Sequence, residues 1–246
     1  MAGIKTGVDG QINNNIQTIG LVAYWDAAYN KSFTPGTTTS YNLASGSLTP
    51  TGSLLNDVGF QGPLTSSWVF DGTDDYIDCS SFPLLDSGSA VTISAWFKSS
   101  TYSNFGRLVN VEKHIEIFQG SSGASNTKGR FTYVLMGAYG NSFKTLGSTE
   151  ASGVGDLVDG NWHHLCFVFE GATLTATVYE DSVAVVTGDT TKENLNSATD
   201  KLYIGADPSG ANPITGNIAN VQIYNQSFSA GDVLQNYNAQ KNRFGL

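Results

Sequence analysis

Apolar and polar residues alternate with a period of two along several short stretches of this chain, the pattern of β-strands. Val91, Ile93, Ala95 and Phe97 alternate with Thr92, Ser94, Trp96 and Lys98, which predicts a half-buried strand. Segments rich in β-branched and aromatic residues predict further strands at 21–26 (LVAYWD), 107–111 (RLVNV), 114–119 (HIEIFQ) and 131–139 (FTYVLMGAY). Others follow at 161–171 (NWHHLCFVFEG), 172–188, 201–207 (KLYIGAD) and 217–225 (NIANVQIYN). The segment 68–79 (WVFDGTDDYIDC) reads as strand, tight turn, strand, because Asp-Gly and Asp-Asp suit hairpin turns. Further turns are expected near Gly171 and at Asp181-Ser182, and residues 30–67 read as loops with short strands.

The period changes to a helical one only near the C-terminus. Ser229 and Asp232 form a capping box, and Phe228 and Val233 are placed for a hydrophobic staple. A helix is expected near 230–241, with Val233, Leu234 and Tyr237 on the face that meets the sheets. Many short strands and one terminal helix define an all-β, antiparallel two-sheet sandwich occupying residues 21–246 as one domain.

Residues 1–20 read as a separate N-terminal arm. Ile4, Val8, Ile12, Ile16 and Ile19 are isolated in a Gly-, Asn- and Gln-rich background that cannot build a core. The expectation is an extended arm held by another subunit, either a copy of itself in a trimer or a larger shell. Ile12, Ile16 and Ile19 would then be the buried assembly anchors. The alternative is an arm folded back on its own sandwich.

Composition narrows the function. Apolar residues are 40% of the 246, enough for a core without disulfides, and 13 Phe, 11 Tyr and 4 Trp argue against disorder. The net charge is −9 and the 12 basic residues are scattered, so a nucleic-acid surface is not expected. No apolar run reaches the ~18 residues of a membrane span, and no secretory signal pattern is present at the N-terminus. Cytoplasmic synthesis is therefore expected, with Cys79 and Cys166 as buried free thiols.

The segments FDGTDDYIDC (70–79), VTISAWFK (91–98), NWHHLCFVFEG (161–171), TATVYEDS (175–182), LYIGAD (202–207) and GNIANVQIYNQSFSAGDVLQNYN (216–238) together resemble the laminin-G-like, concanavalin-A-like lectin superfamily. The resemblance implies a jelly-roll sandwich. It also implies company among bacterial adhesins, carbohydrate-binding modules and bacteriophage coat or tail proteins. From it comes the expectation of a non-enzymatic virion structural protein, a head-decoration or tail-associated subunit displayed on the virion surface that binds host glycan. The alternative is a free-standing carbohydrate-binding lectin or adhesin at a cell surface, and the weaker one a glycoside hydrolase. Two departures stand out. Relatives carry an acidic residue after the Gly-x-Ile of the last long strand, where this chain has Gly216-Asn217-Ile218-Ala219-Asn220; and Tyr179-Glu180-Asp181-Ser182 replaces a Tyr-x-Asp-Gly turn. The first departure weakens the case for a calcium site of the family's kind.

Candidate chemistry is sparse. Hydrolases of this fold place carboxylates along one strand face, and the nearest equivalents are Glu112 and Glu116, without the middle acid. No catalytic residue is expected. His164 and Cys166 share a strand face with His163 beside them, but no orienting acid is evident and core or strand-end packing is the favoured reading. Asp71, Asp74, Asp75 and Asp78, with Asp207 from another loop, are calcium candidates, although the same acids are ordinary turn residues. The turn reading is favoured, so neither a metal nor any other cofactor is expected. Sugar rings stack on exposed aromatics, and Tyr102, Phe105, Tyr139 and Phe143 lie in or beside loops where they could do so.

Overall fold

The computed structural model describes residues 15–44, 51–63, 65–81, 90–111, 115–120, 131–136, 143–147, 157–189 and 201–246. At 80–81, 131–136, 143–147 and 189 it describes the backbone alone. Within these residues sixteen strands form two sheets of eight, all of them paired antiparallel. The first sheet runs in the order β14 (Val183–Asp189), β13 (Thr175–Glu180), β12 (Trp162–Glu170), β7 (Val91–Lys98), β16 (Thr215–Tyr224), β5 (Ser67–Asp71), β4 (Gly59–Gln61). Strand β1 (Leu21–Asp26) pairs with β16 beyond the end of β5, so two short strands share one edge of a long one. The second sheet runs β11 (Phe143–Gly147), β10 (Phe131–Met136), β9 (Ile115–Gln119), β8 (Arg107–Val111), β15 (Lys201–Ile204), β6 (Tyr76–Ser81), β3 (Thr51–Leu55), β2 (Thr39–Tyr41). This is the jelly-roll sandwich with one C-terminal helix.

Alternation decides what enters the core. Ile93, Ala95 and Phe97 of β7, Phe167 and Phe169 of β12, and Val221 and Ile223 of β16 pack in one cluster with Ile77, Val109, Val111, Ile115, Ile117 and Ile204 of the second sheet. Each of the Val, Ile and Phe side chains contributes about 1.5–3 kcal/mol by leaving water.

Two expectations are corrected here. Residues 68–79 are no hairpin, since β5 lies in the first sheet and β6 in the second. The Asp-rich turn is therefore an arch that carries the chain across the sandwich. Strand β7 is buried on both faces: Thr92, Ser94 and Trp96 are covered as completely as Ile93 and Ala95. The cover is α1 (Ala230–Gln240) with the 3-10 turn Lys241–Phe244. Trp96 stacks on Phe244 at 4.2 Å and on Tyr237 at 5.6 Å between ring centroids. The hydroxyls find partners beneath this layer, Thr92 Oγ1 donating to Gln226 O and accepting from Phe228 N–H.

Helix α1 starts with the predicted capping box, Asp232 N–H donating to Ser229 Oγ and Ser229 N–H to Asp232 Oδ2. Phe228 and Val233 pack in one cluster with Tyr224 and Cys166, as a staple requires. The inward face differs from the expected one, because Leu234 is 46% exposed while Val233, Asn236 and Gln240 are buried. The reason lies in the outer face of β16, which presents Asn220, Gln222 and the Tyr224 hydroxyl. Asn236 donates to Tyr224 Oη and Gln222 Oε1, and Gln240 accepts from Asn220. A leucine there would leave buried amides unpaired.

The described end of the arm lies against this helix. Gln17 N–H donates to Asn236 Oδ1 at 2.7 Å, and its side chain bonds to Asp232 and Gln235. Ile16 is 3% exposed and Ile19 is 74% exposed. Ile16 is thus buried in its own chain rather than free to anchor a partner, while Ile12 lies outside the described residues. Among the described residues no helix is long and apolar enough to cross a membrane.

Candidate functional site

The outer face of the second sheet carries a concentrated group of charged and aromatic side chains. Strands β8 and β9 send Val109, Val111, Ile115 and Ile117 into the core, which leaves Asn110, Glu116 and Phe118 outside. A register shift between Arg107 and Val109 brings Arg107 beside them. Its Nη2 lies 3.0 Å from Glu116 Oε2 and its Nε 2.8 Å from Asp207 Oδ1. Its Nη1 donates to Phe105 O at 2.8 Å, and the guanidinium lies 4.4 Å from the centre of the Phe118 ring.

Asp207 comes from the loop after β15. Besides Arg107 it accepts from the side chains of Asn110 and Asn212. Arg107 N–H donates to Asn212 O and Asp207 N–H to Ala211 O, stapling that loop to the start of β8. The expectation that Asp207 joins an acidic metal cluster is corrected by these bonds: it serves a guanidinium and two amides instead.

Burial pushes the Glu116 carboxyl above its ordinary range; Arg107 pulls it back down and Asp207 adds to the rise. Glu116 and Asp207 thus share one guanidinium. Glu112 lies outside the described residues.

Phe105 sits at the rim, 39% exposed, with its ring 6.0 Å from that of Phe118. Its φ is +59°, a left-handed conformation that costs a non-glycine residue about 1–2 kcal/mol. The Arg107 bond to its carbonyl helps hold it there. Tyr102, on the same loop, is half-buried; its hydroxyl is turned inward without a hydrogen-bond partner, and burial raises its pKa. Tyr139 lies outside the described residues, and Phe143 is described only as a backbone position in β11. Of the two predicted aromatics whose side chains are described, Phe105 is the exposed one.

Sequence reasoning missed Arg107, Asn110 and Asn212. The available signal was an arginine and an asparagine within RLVNV, a strand otherwise apolar.

The acidic arch brings one carboxylate oxygen each from Asp71, Asp74 and Asp75 within 4.8 Å of one another. Asp78 falls outside this group, on β6 opposite Ser53 and Tyr203.

His164 and Cys166 form no nucleophilic pair. His164 and Cys166 do share the outer face of the first sheet, as predicted. Burial pushes His164 down to about 4, against the pull of Asp181, and its Nε2 lies 2.8 Å from Ser94 Oγ. Burial raises the Cys166 thiol, and the Cys79 thiol likewise, so neither forms the reactive thiolate. Cys79 faces the core between the sheets and Cys166 faces α1, which puts the first sheet between the two free thiols.

The jelly roll thus carries an exposed aromatic beside a charged network on one sheet face. The sequence profile of the concanavalin A-like lectin/glucanases superfamily matches residues 71–234, more than half of the chain, and the protein belongs to that superfamily. No curated protein is similar to it in sequence.

Solved structures resemble it in fold. The receptor binding domain of botulinum neurotoxin D superposes with a TM-score of 0.67 at 10% identity, over 93% of this chain and 54% of that one. The binding domain of Paraclostridial Mosquitocidal Protein 1 gives 0.66 at 11% identity, over 91% and 53%. The CBM40 of the Ruminococcus gnavus IT-sialidase, bound to α2,3-sialyllactose, gives 0.53 at 14% identity, over 68% and 94%. The protein spans about half the length of the toxin binding domains it resembles.

Proposed function

We propose that this protein is a non-catalytic carbohydrate-binding module that takes glycan on the outer face of its second sheet. The observation that carries the reading is Phe105, held exposed in a strained backbone conformation at the edge of the Arg107–Glu116–Asp207 network. Strain of this kind concentrates at ligand-binding positions. A sugar ring stacked on Phe105 would direct its hydroxyls to the carboxylates and amides beside it. The fold relatives support the class: they are toxin binding domains and a carbohydrate-binding module.

The charge balance favours neutral sugars. Arg107 already serves two carboxylates and a carbonyl, which leaves the site net negative and rich in acceptors. Hydroxyl donors suit such a site better than a sialate carboxylate does. Binding should be measured by glycan array and calorimetry with neutral and sialylated oligosaccharides. A neutral hit that Phe105→Ala abolishes without change in melting temperature supports the reading. Binding indifferent to that change overturns it, and so does reducing-end release that disappears in Glu116→Gln.

A virion-coat or other assembly role rests on the arm, where, among the described residues, Ile19 is an exposed apolar residue available to a partner. In this secondary reading, self-association or attachment to a shell would run through residues 1–19.

A further inference from the structure

We propose that Asp71, Asp74 and Asp75 hold a calcium ion at the arch between the two sheets. Strand β5 ends at Asp71 and β6 begins at Tyr76, so the acids lie on the short crossing from one sheet to the other. Among the described residues no Lys, Arg or His forms an ion pair with any of the three. Each gives a carboxylate oxygen to a group no wider than 4.8 Å. Two ligands about 2.4 Å from a central calcium ion span that distance.

The second observation is the state of Asp75. The residue is 3% exposed; its Oδ2 accepts from Asp71 N–H at 2.9 Å, and its Oδ1 is buried with no hydrogen-bond partner. A buried carboxylate oxygen without a donor is costly and calls for a proton or a cation. Burial raises the Asp75 pKa, the Asp71 N–H bond opposes this, and the charges of Asp71, Asp74 and Asp57 add to the rise. A cation ligated by Asp75 through that oxygen would remove the repulsion and satisfy the oxygen together.

Calcium fits the donors better than zinc or copper does, since all are hard carboxylate oxygens and no nitrogen or sulfur ligand is in the group. Asp71 and Asp74 are exposed, which leaves room for the water molecules that complete its shell. The arch is already clamped for this role. Asn56 donates to Asp74 O at 2.9 Å, and Gly210 packs so closely that a Cβ there would stand 2.9 Å from the same carbonyl. This site differs from the position where relatives carry an acid on the last long strand. That position is Ala219, buried among Trp96, Trp162 and Phe244.

The test is thermal unfolding of the full chain, stripped with a chelator and titrated with calcium chloride, with sodium chloride at matched ionic strength as control. The expected result is a saturable rise in melting temperature that follows the logarithm of calcium concentration. Asp75→Asn should abolish the rise while raising the melting temperature of the calcium-free protein, because it removes a repelling charge. If Asp75→Asn fails to fold, Asp74→Asn, at an exposed position, should fold and weaken calcium binding about tenfold or more. No calcium response up to about 10 mM overturns the proposal. A response that survives both substitutions does so too. A melting temperature that rises on acidification without any calcium response would show that a proton, not a metal, satisfies Asp75.

Discussion

His163 Nδ1 lies 2.8 Å from Asp181 Oδ2 while its Nε2 lies 3.1 Å from Asp159 Oδ1, so one imidazole bridges two carboxylates at the end of β12. Burial lowers the His163 pKa, but the bonds and charges of the two aspartates outweigh it and leave it raised above 6.5. The neighbouring His164 is shifted the other way, to about 4. The signs follow by linkage. Stability from the His163 bridge is complete below about pH 6.5 and fades as pH rises through its raised folded value. His164 must stay neutral in the fold, so stability is lost as pH falls from about 6.5 towards 4, by on the order of 3 kcal/mol. The melting temperature should peak between these limbs. His163→Gln should flatten the alkaline limb and His164→Gln the acidic one. A pH profile unchanged in either variant contradicts that assignment.

The layer over the first sheet should be indispensable. Trp96→Ala removes the ring on which Tyr237 and Phe244 stack and is expected to cost about 3–5 kcal/mol. Ser229→Ala, which removes the helix cap, should cost about 1 kcal/mol. Denaturant titration of the two variants tests the order as well as the size of these effects.

Both thiols should be closed to reagents in the folded state and open on unfolding. Thiol labelling is expected to give no rapid reaction in buffer and two groups per chain in denaturant. Zero groups in denaturant would indicate a disulfide that the placement of Cys79 and Cys166 on opposite sides of a sheet does not allow.

Truncation should divide the arm into two parts. Removing residues 2–19 deletes Ile16 and the bonds of Gln17 to α1, and should lower the melting temperature by several degrees. Removing residues 2–14 leaves those contacts in place, so the longer deletion should melt at a lower temperature than the shorter one. If the shorter deletion alone abolishes self-association measured by light scattering, the assembly role of the arm is supported; association retained in both deletions counts against it.

Glycan binding should depend on Phe105 more than on Tyr102. Phe105→Ala removes the exposed ring and should reduce affinity at least about tenfold, since stacked aromatics are frequent binding hot spots. Tyr102→Phe, which removes a hydroxyl turned into the protein, should bind glycan as the parent does. Calorimetry on the two variants separates a stacking platform from a general effect of the loop.

Local pattern was enough to place most strands, the capping box at Ser229 and the turn at Asp181-Ser182, because period-two alternation and capping chemistry act within a few residues. It was also enough to place the chain in its superfamily, since aromatic and small residues recur in a set order along it. Which strands pair was decided only in three dimensions. The arch at residues 71–76 uses the same Asp and Gly residues as a hairpin, so nothing local tells a turn within one sheet from a crossing between two. The same holds for β7, whose Thr92, Ser94 and Trp96 read as solvent-facing until α1 and Phe244 cover them. The candidate glycan face was legible in part: Phe105 could be read as a loop aromatic. Its partners Arg107 and Asp207 lie 100 residues apart in sequence and become neighbours only when β15 pairs with β8. Periodicity reports which side of a strand is apolar; the long-range pairing of strands decides what stands opposite it.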